Sequence, residues 1–249
     1  MIVSKALWKV IQQKTDTLNQ LDIYLYDDIK EDEEKWWTGE IIESETSAKH
    51  IQQVLEENQN ATQINLYINS YGGSVKEGLA IFNQLRRNKA TKTAYIDGFA
   101  CSIASVIAMA CERVVMGPNA LMMIHHASSG AYGNSEELRK AANDLDVIDE
   151  ASCSSYLLKA GDKLTENTLK QLLDNQTWLN ANQCLEYGLC DEIVGKEDTT
   201  ITEAKQKYKN YIQQHMQNRI PTPKVPEQFI KQKSNYEKIK MIFNKKEGR

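Results

Sequence analysis

A serine and a histidine each stand at the end of an apolar segment. Ser102 follows the stretch 93–101 and precedes the apolar run 103–110, while His125 closes the apolar stretch 121–125. The pattern predicts a strand that ends at Gly98 and a turn of small residues. Ser102 then begins a buried helix, where backbone N–H groups have no intrahelical partner and the helix dipole is positive. Histidine is the side chain best suited to accept a serine proton near neutral pH.

Two consecutive glycines follow another predicted strand. The alternating segment 64–69 gives way to Gly72 and Gly73 just before a helix predicted at Val75–Arg87. Glycine adopts positive φ at little cost, so its backbone N–H can point at a developing negative charge. If the fold unites these three segments, the chain has the parts of a serine hydrolase. The plainer interpretation is an N-capping serine, a structural histidine and an ordinary turn.

The three segments, in this order, resemble the Clp protease proteolytic subunit family. The matching motifs are Asn-Ser-Tyr-Gly-Gly (69–73), Gly-Phe-Ala-Cys-Ser-Ile (98–103) and Met-Ile-His (123–125), followed by Tyr-Gly-Leu-Cys-Asp-Glu-Ile (187–193). The resemblance extends over roughly residues 21–194. Several details, among them Ala-Tyr-Gly (131–133) and Thr-Trp (177–178), are similar to the phage and prophage branch, the head maturation proteases.

The resemblance implies a role for each matching residue. Ser102 would be the nucleophile and His125 the general base, while the N–H groups of Gly73 and Ile103 would form the oxyanion hole. The family's motifs leave His126 without a catalytic role, and strand alternation sends the two imidazoles to opposite sides. Substrate would lie against four residues: Gly72, Gly130, Ala131 and Tyr132.

The sequence departs from the family pattern at the third member of the triad. Gln176 occupies the position of the usual acid, and Asp174 lies two residues earlier. A neutral amide can fix the tautomer of a histidine but cannot stabilise an imidazolium as a carboxylate does. Either Asp174 supplies the acid, or Ser102 and His125 work as a dyad. Two milder departures are Tyr71 in place of proline and Cys101 in place of alanine.

Composition excludes several classes of protein. The net charge of -4 argues against nucleic acid as a partner, and no apolar run reaches the length of a membrane span or a signal segment. Five scattered cysteines without a Cys-x-x-Cys pair predict reduced thiols, and four histidines make a metal site improbable. We therefore expect a cytoplasmic protein of a bacterial host cell, without metal or cofactor and without ATP hydrolysis of its own.

Alternating strands and helices predict an α/β fold with a mainly parallel sheet. The resemblance implies the repeated βαβ spiral that Clp proteases and crotonases share, with a long protruding handle helix. That helix is predicted from the cap at Asn134, with Glu137 as its capping-box partner, to its end at Gly161. Small residues along it suit packing against another subunit.

Four segments are predicted along the chain. They are an N-terminal extension (1–20), the peptidase domain (21–198), a C-terminal helix (199–219) and a proline-containing linker with a basic tail (220–249).

The sequence thus predicts a serine endopeptidase that forms a ring-like homo-oligomer, takes protein or peptide substrates and processes phage capsid or scaffold protein. Three alternatives remain: a housekeeping subunit working with a Clp ATPase, a crotonase-type acyl-coenzyme A enzyme, and an inactive structural shell.

Overall fold

The computed structural model describes residues 11–15, 18–195 and 207–210, with side chains from residue 19 onward. The chain divides into two units, Met1–Lys196 and Glu197–Arg249. The predicted extension (1–20) contributes strand residues 11–15 and 18–20 to the described part. Of the predicted helix 199–219, residues 207–210 are described and helical, and the linker and tail (220–249) lie outside the described residues.

Eight of the strands described here form one sheet. They are β1 (Ile11–Thr15), β2 (Leu18–Leu25), β5 (Gln63–Ser70), β6 (Thr91–Cys101), β7 (Arg113–Met116), β8 (Leu121–Ile124), β9 (Thr177–Asn180) and β10 (Glu192–Ile193). Two pairs, β1 with β2 and β8 with β9, are antiparallel, and the other pairs are parallel. The predicted α/β class with a mainly parallel sheet is confirmed.

A short hairpin, six α-helices and a short 3-10 helix (Gly161–Lys163) complete the described part of the unit Met1–Lys196. The hairpin pairs β3 (Glu33–Glu34) with β4 (Ile41–Ile42). The helices are α1 (Ala48–Glu57), α2 (Val75–Arg87), α3 (Ile103–Ala108), α4 (Ser135–Ala160), α5 (Glu166–Asp174) and α6 (Ala181–Glu186). Aliphatic side chains of β2, β5 and β6 form a continuous buried core with α1, α2 and α3. No described helix has both the length and the apolar character needed to cross a bilayer.

Helix α4 is the predicted long helix. Asn134 caps it in a complete capping box with Glu137, and Gly161 follows its last residue, so the predicted bounds are confirmed. Its buried residues, Ser155, Tyr156 and Ala160, all lie in the last two turns. The preceding turns contribute little to the core of their own subunit, so α4 projects as the predicted handle.

Strand β6 is longer than predicted and changes neighbours along its length. Its first half pairs with β7 (Thr93 to Ile96) and its second half with β8 (Phe99 to Cys101). The predicted end of this strand at Gly98 is wrong, because β6 continues to Cys101. The Asn69 amide oxygen accepts a hydrogen bond from Phe99 N–H at 3.1 Å and bridges the register shift in β5. A Cβ on Gly98 would lie 2.5 Å from that oxygen, so glycine permits the bridge.

Candidate active site

Ser102 occupies a strained turn between β6 and α3. Its φ of 52° and ψ of −130° are conformations that a non-glycine residue rarely adopts. Its side chain makes no capping hydrogen bond, although it stands at the N-cap position of α3. A sharp strand-to-helix turn of this kind presents a serine hydroxyl outward, away from its own backbone. Ser102 is half-buried between the fully buried Cys101 and Ile103. The geometry therefore disfavours a purely structural cap.

The strand pairing brings the turn at Ser102 to the end of β8. Cys101 pairs with Met123, and the Ser102 N–H donates to the Met123 carbonyl at 2.8 Å. His125 follows two residues after Met123, just past the end of β8. Parallel neighbouring strands therefore deliver the serine and the histidine to the same edge of the sheet. No hydrogen bond joins the two side chains in the described structure.

The two histidines have different surroundings. Both ring nitrogens of His126 are engaged, Nδ1 with Asp149 at 2.7 Å and Nε2 with Asp174 at 2.9 Å. Neither nitrogen of His125 has a hydrogen-bond partner among the described residues. A general base needs a free nitrogen for the proton that it accepts. His125 meets this requirement and His126 does not.

The glycine loop packs directly against the Ser102 turn. A Cβ on Gly72, whose φ is +103°, would lie 2.7 Å from Ser102 Cβ and 3.3 Å from the Ile103 nitrogen. Gly73, with φ of +141°, forms a parallel bridge with Ile29. The hydrogen bonds of that bridge use the neighbouring groups of residues 72 and 74 and leave the Gly73 N–H outside the pairing.

Two backbone donors thus border the turn. Ile103 is the first residue of α3, so its N–H has no partner within the helix. The Gly73 N–H likewise has no acceptor among the described residues. Donors in this arrangement suit an oxygen that gains negative charge during acyl transfer.

Two other potential nucleophiles near Ser102 are unsuitable. Ser105 is fully buried, and its hydroxyl is bonded to the Ser102 carbonyl at 2.6 Å and to the Tyr156 hydroxyl at 2.7 Å. Burial raises the pKa of the Cys101 thiol to about 11, which keeps it protonated at neutral pH. Ser102 is the hydroxyl of this cluster that substrate could reach.

The two candidates for the third triad position lie in different places. Asp174 ends α5, and its carboxylate contacts His126 rather than His125. Thr177 of β9 pairs with Ile124 of β8, so the next pair in this antiparallel register would be Gln176 and His125. Gln176 is exposed and has a φ of 48°, and no hydrogen bond joins it to His125.

The predicted substrate segment follows β8. Gly130, Ala131 and Tyr132 are exposed, and Tyr132 projects entirely into solvent. With the first half of α4, residues 129–131 border an apolar groove of about 360 Å³. The described residues include no group of three or more side chains suited to hold a metal ion.

Sequence reasoning missed the bridge from His126 to Asp149 and Asp174. His126 follows β8, whereas Asp149 lies on α4 and Asp174 on α5; the three are far apart in sequence, and no motif connects them. The one available signal was the pair of adjacent histidines, which strand alternation places on opposite sides.

Comparison with known proteins agrees with this geometry. A ClpP1 mutant from Listeria monocytogenes superposes with a TM-score of 0.58 at 21% sequence identity, covering 70% of this chain and 90% of that chain. At this identity the likeness concerns the fold. The family model for Clp protease matches residues 21–197, which contain the serine turn, the histidine strand and the glycine loop. The chain therefore belongs to the Clp protease family.

Proposed function

We propose that the protein is a serine endopeptidase that works through an acyl-enzyme formed on Ser102. The observation that carries this proposal is the strained, uncapped Ser102 at the N-terminus of α3, bordered by the unpaired N–H groups of Gly73 and Ile103. A structural serine would not need such a backbone conformation, whose cost is on the order of 1–3 kcal/mol. Membership of the Clp protease family supports the same reaction class.

The proposed reaction proceeds in two halves. His125 takes the proton of Ser102 as Oγ attacks the peptide carbonyl, and the N–H groups of Gly73 and Ile103 bind the resulting oxyanion. The intermediate collapses to an acyl-enzyme as His125 gives its proton to the departing amine. Water, activated by His125, then hydrolyses the ester and releases the acid. In this scheme Gly72, Gly130, Ala131 and Tyr132 border the bound peptide.

We further propose a ring-like homo-oligomer acting on capsid or scaffold protein of a phage or prophage. Support for the assembly comes from α4, whose exposed turns carry apolar side chains that their own subunit leaves uncovered. Support for the substrate comes from the resemblance of segments such as 131–133 and 177–178 to the head maturation proteases.

Partnership with a Clp ATPase is the competing role. An inactive shell is the second candidate function, and Gln176 at the acid position favours it.

Hydrolysis of a fluorogenic peptide tests the activity. The full chain should cleave the peptide, and Ser102→Ala should reduce turnover by several orders of magnitude because the nucleophile is lost. Ser154→Ala serves as the control, since that exposed hydroxyl bonds only to a carbonyl of its own helix. Equal turnover by the wild-type protein and Ser102→Ala would refute the proposal, and absence of turnover in both would favour the shell.

A further inference from the structure

His126 bridges two carboxylates from separate helices. Asp149 lies midway along α4 and Asp174 ends α5, and each bonds to one ring nitrogen. The second oxygen of Asp149 accepts the N–H of Ala127 at 2.6 Å. His126, which follows His125, is therefore bonded to both α4 and α5, and Ala127 is bonded to α4.

The bonding pattern defines the charge of His126. Ionised carboxylates only accept hydrogen bonds, and a neutral imidazole has only one N–H to donate. Both bonds can form together only when His126 is an imidazolium. Burial alone would lower the pKa of His126, but its hydrogen bonds to Asp174 and Asp149 outweigh this effect and raise the pKa. The nearby Cys153 of α4 stays neutral, since burial and Asp149 raise the pKa of its thiol.

Helix α4 contacts both halves of the active site through one face. Asp149 reaches His126 beside the general base, and Tyr156, two turns later, bonds to Ser105, whose hydroxyl bonds to the Ser102 carbonyl. The C-terminal end of α4 around Tyr156 is buried in the core, whereas the turn that contains Asp149 has no buried residue. Near the base, α4 is therefore attached through Asp149, which bonds to the His126 ring and to the Ala127 N–H.

We propose that His126, as an imidazolium, is a positioning residue that fastens α4 and α5 to the end of β8 and so holds His125 in place beside Ser102. Loss of its proton breaks one of the two hydrogen bonds, so that one of the two helices loses its attachment to His126. The proposal rests on the proposed function of His125 as general base. The stability that His126 adds when it is bonded to both Asp149 and Asp174, an arrangement that we call the His126 clamp, is complete below the ordinary pKa of histidine, about 6.5. It disappears as the pH rises through the higher pKa of His126 in the folded protein.

The pH profile of peptide hydrolysis tests this role. The wild-type profile should have a falling limb at high pH, where His126 loses its proton. His126→Gln should remove this falling limb and lower kcat by about 10- to 100-fold, the scale on which a small misplacement acts, with KM nearly unchanged. Asp144→Asn is the matched control, because this α4 carboxylate pairs with Lys140 and does not contact His126.

A second measurement does not depend on catalysis. The measurement compares Ser102→Ala with the double variant that also carries His126→Gln. At pH 6, amide hydrogen exchange across residues 143–150 should be slower in the single variant, and at pH 9 the exchange rates of the two proteins should be equal. Equal exchange rates of the two proteins at both pH 6 and pH 9 would overturn the proposal. A pH profile of peptide hydrolysis that still falls at high pH in His126→Gln would also overturn it. If Ser102→Ala retained full turnover, the proposed function would be refuted instead. The hydrogen-exchange result would still test the His126 clamp, because it does not depend on catalysis.

Discussion

Environment, rather than residue type, separates the nucleophile candidates around α3. Cys101, Ser102 and Ser105 lie within one short segment, and each carries a group able to attack a carbonyl. Cys101 is buried with a raised thiol pKa, and Ser105 is enclosed by hydrogen bonds. Ser102 alone combines partial exposure with a hydroxyl that has no internal partner. The assignment of Ser102 rests on this contrast.

The missing acid leads to a prediction at Gln176. Gln176→Asp should raise peptide turnover by about tenfold or more, ~1.4 kcal/mol in barrier, because a carboxylate opposite His125 would stabilise the imidazolium of the transition state. Aspartate also tolerates the positive φ at this position. Gln171 lies on an exposed turn of α5 and is not opposite His125 in the β8–β9 register. The control variant Gln171→Asp therefore adds the same charge elsewhere and should have little effect on turnover.

Asp174 distinguishes a dyad from a displaced triad. If Asp174 acts only through His126, Asp174→Asn and His126→Gln should reduce turnover similarly, and the double variant should be no worse than either. A further large loss in the double variant would instead place Asp174 in the catalytic group. A Gln176→Asp variant no faster than wild type would count against Gln176 as the third residue.

The elements that support the site meet at the glycine loop. Ile29, in the segment after β2, accepts the Ser74 N–H at 2.7 Å and donates its own N–H to the Gly72 carbonyl at 2.7 Å. These two hydrogen bonds from Ile29 thereby hold in place the loop that carries the Gly73 N–H. No side chain fits here, since a Cβ on Gly73 would lie 2.2 Å from the Ile29 oxygen.

Gly73→Ala should disrupt this contact. The clash with Ile29 and the positive φ together should lower the free energy of unfolding by roughly 1–3 kcal/mol and displace the oxyanion donor. Thermal unfolding and peptide turnover on the same preparation measure the two effects. Gly117→Ala is the control, because its Cβ would meet only ordinary contacts, the nearest at 3.5 Å. A Gly73→Ala variant with wild-type stability and turnover would contradict the account.

Local patterns were sufficient to predict some elements and not others. The bounds of α2 and the capped start of α4 depend on apolar spacing and short-range capping, which sequence records directly. Strand β6 was predicted too short because its extension past Gly98 depends on Asn69, which lies on another strand. The clamp at His126 depends on how two helices pack, and no local pattern encodes that. The roles of Ser102 and His125 remain predictions.

At the scale of the whole molecule, the exposed side of α4 suggests a partner. Leu138, Val147, Ile148 and Leu158 are 44%, 66%, 37% and 61% exposed, so α4 leaves several large apolar side chains uncovered by its own subunit. Sedimentation velocity should give a mass several times the 28.4 kDa of one chain. A single-chain mass at micromolar concentration would refute the proposed assembly.

Covalent labelling by a fluorophosphonate, followed by peptide mapping, tests the central assignment most directly. The probe reacts with a serine only where a base and an oxyanion site activate the hydroxyl. The account predicts one modification per chain, at Ser102, absent in Ser102→Ala, slowed in His125→Ala and unchanged in Ser154→Ala. Modification at Ser105 or Cys101, or labelling of Ser102→Ala at the wild-type rate, would contradict it.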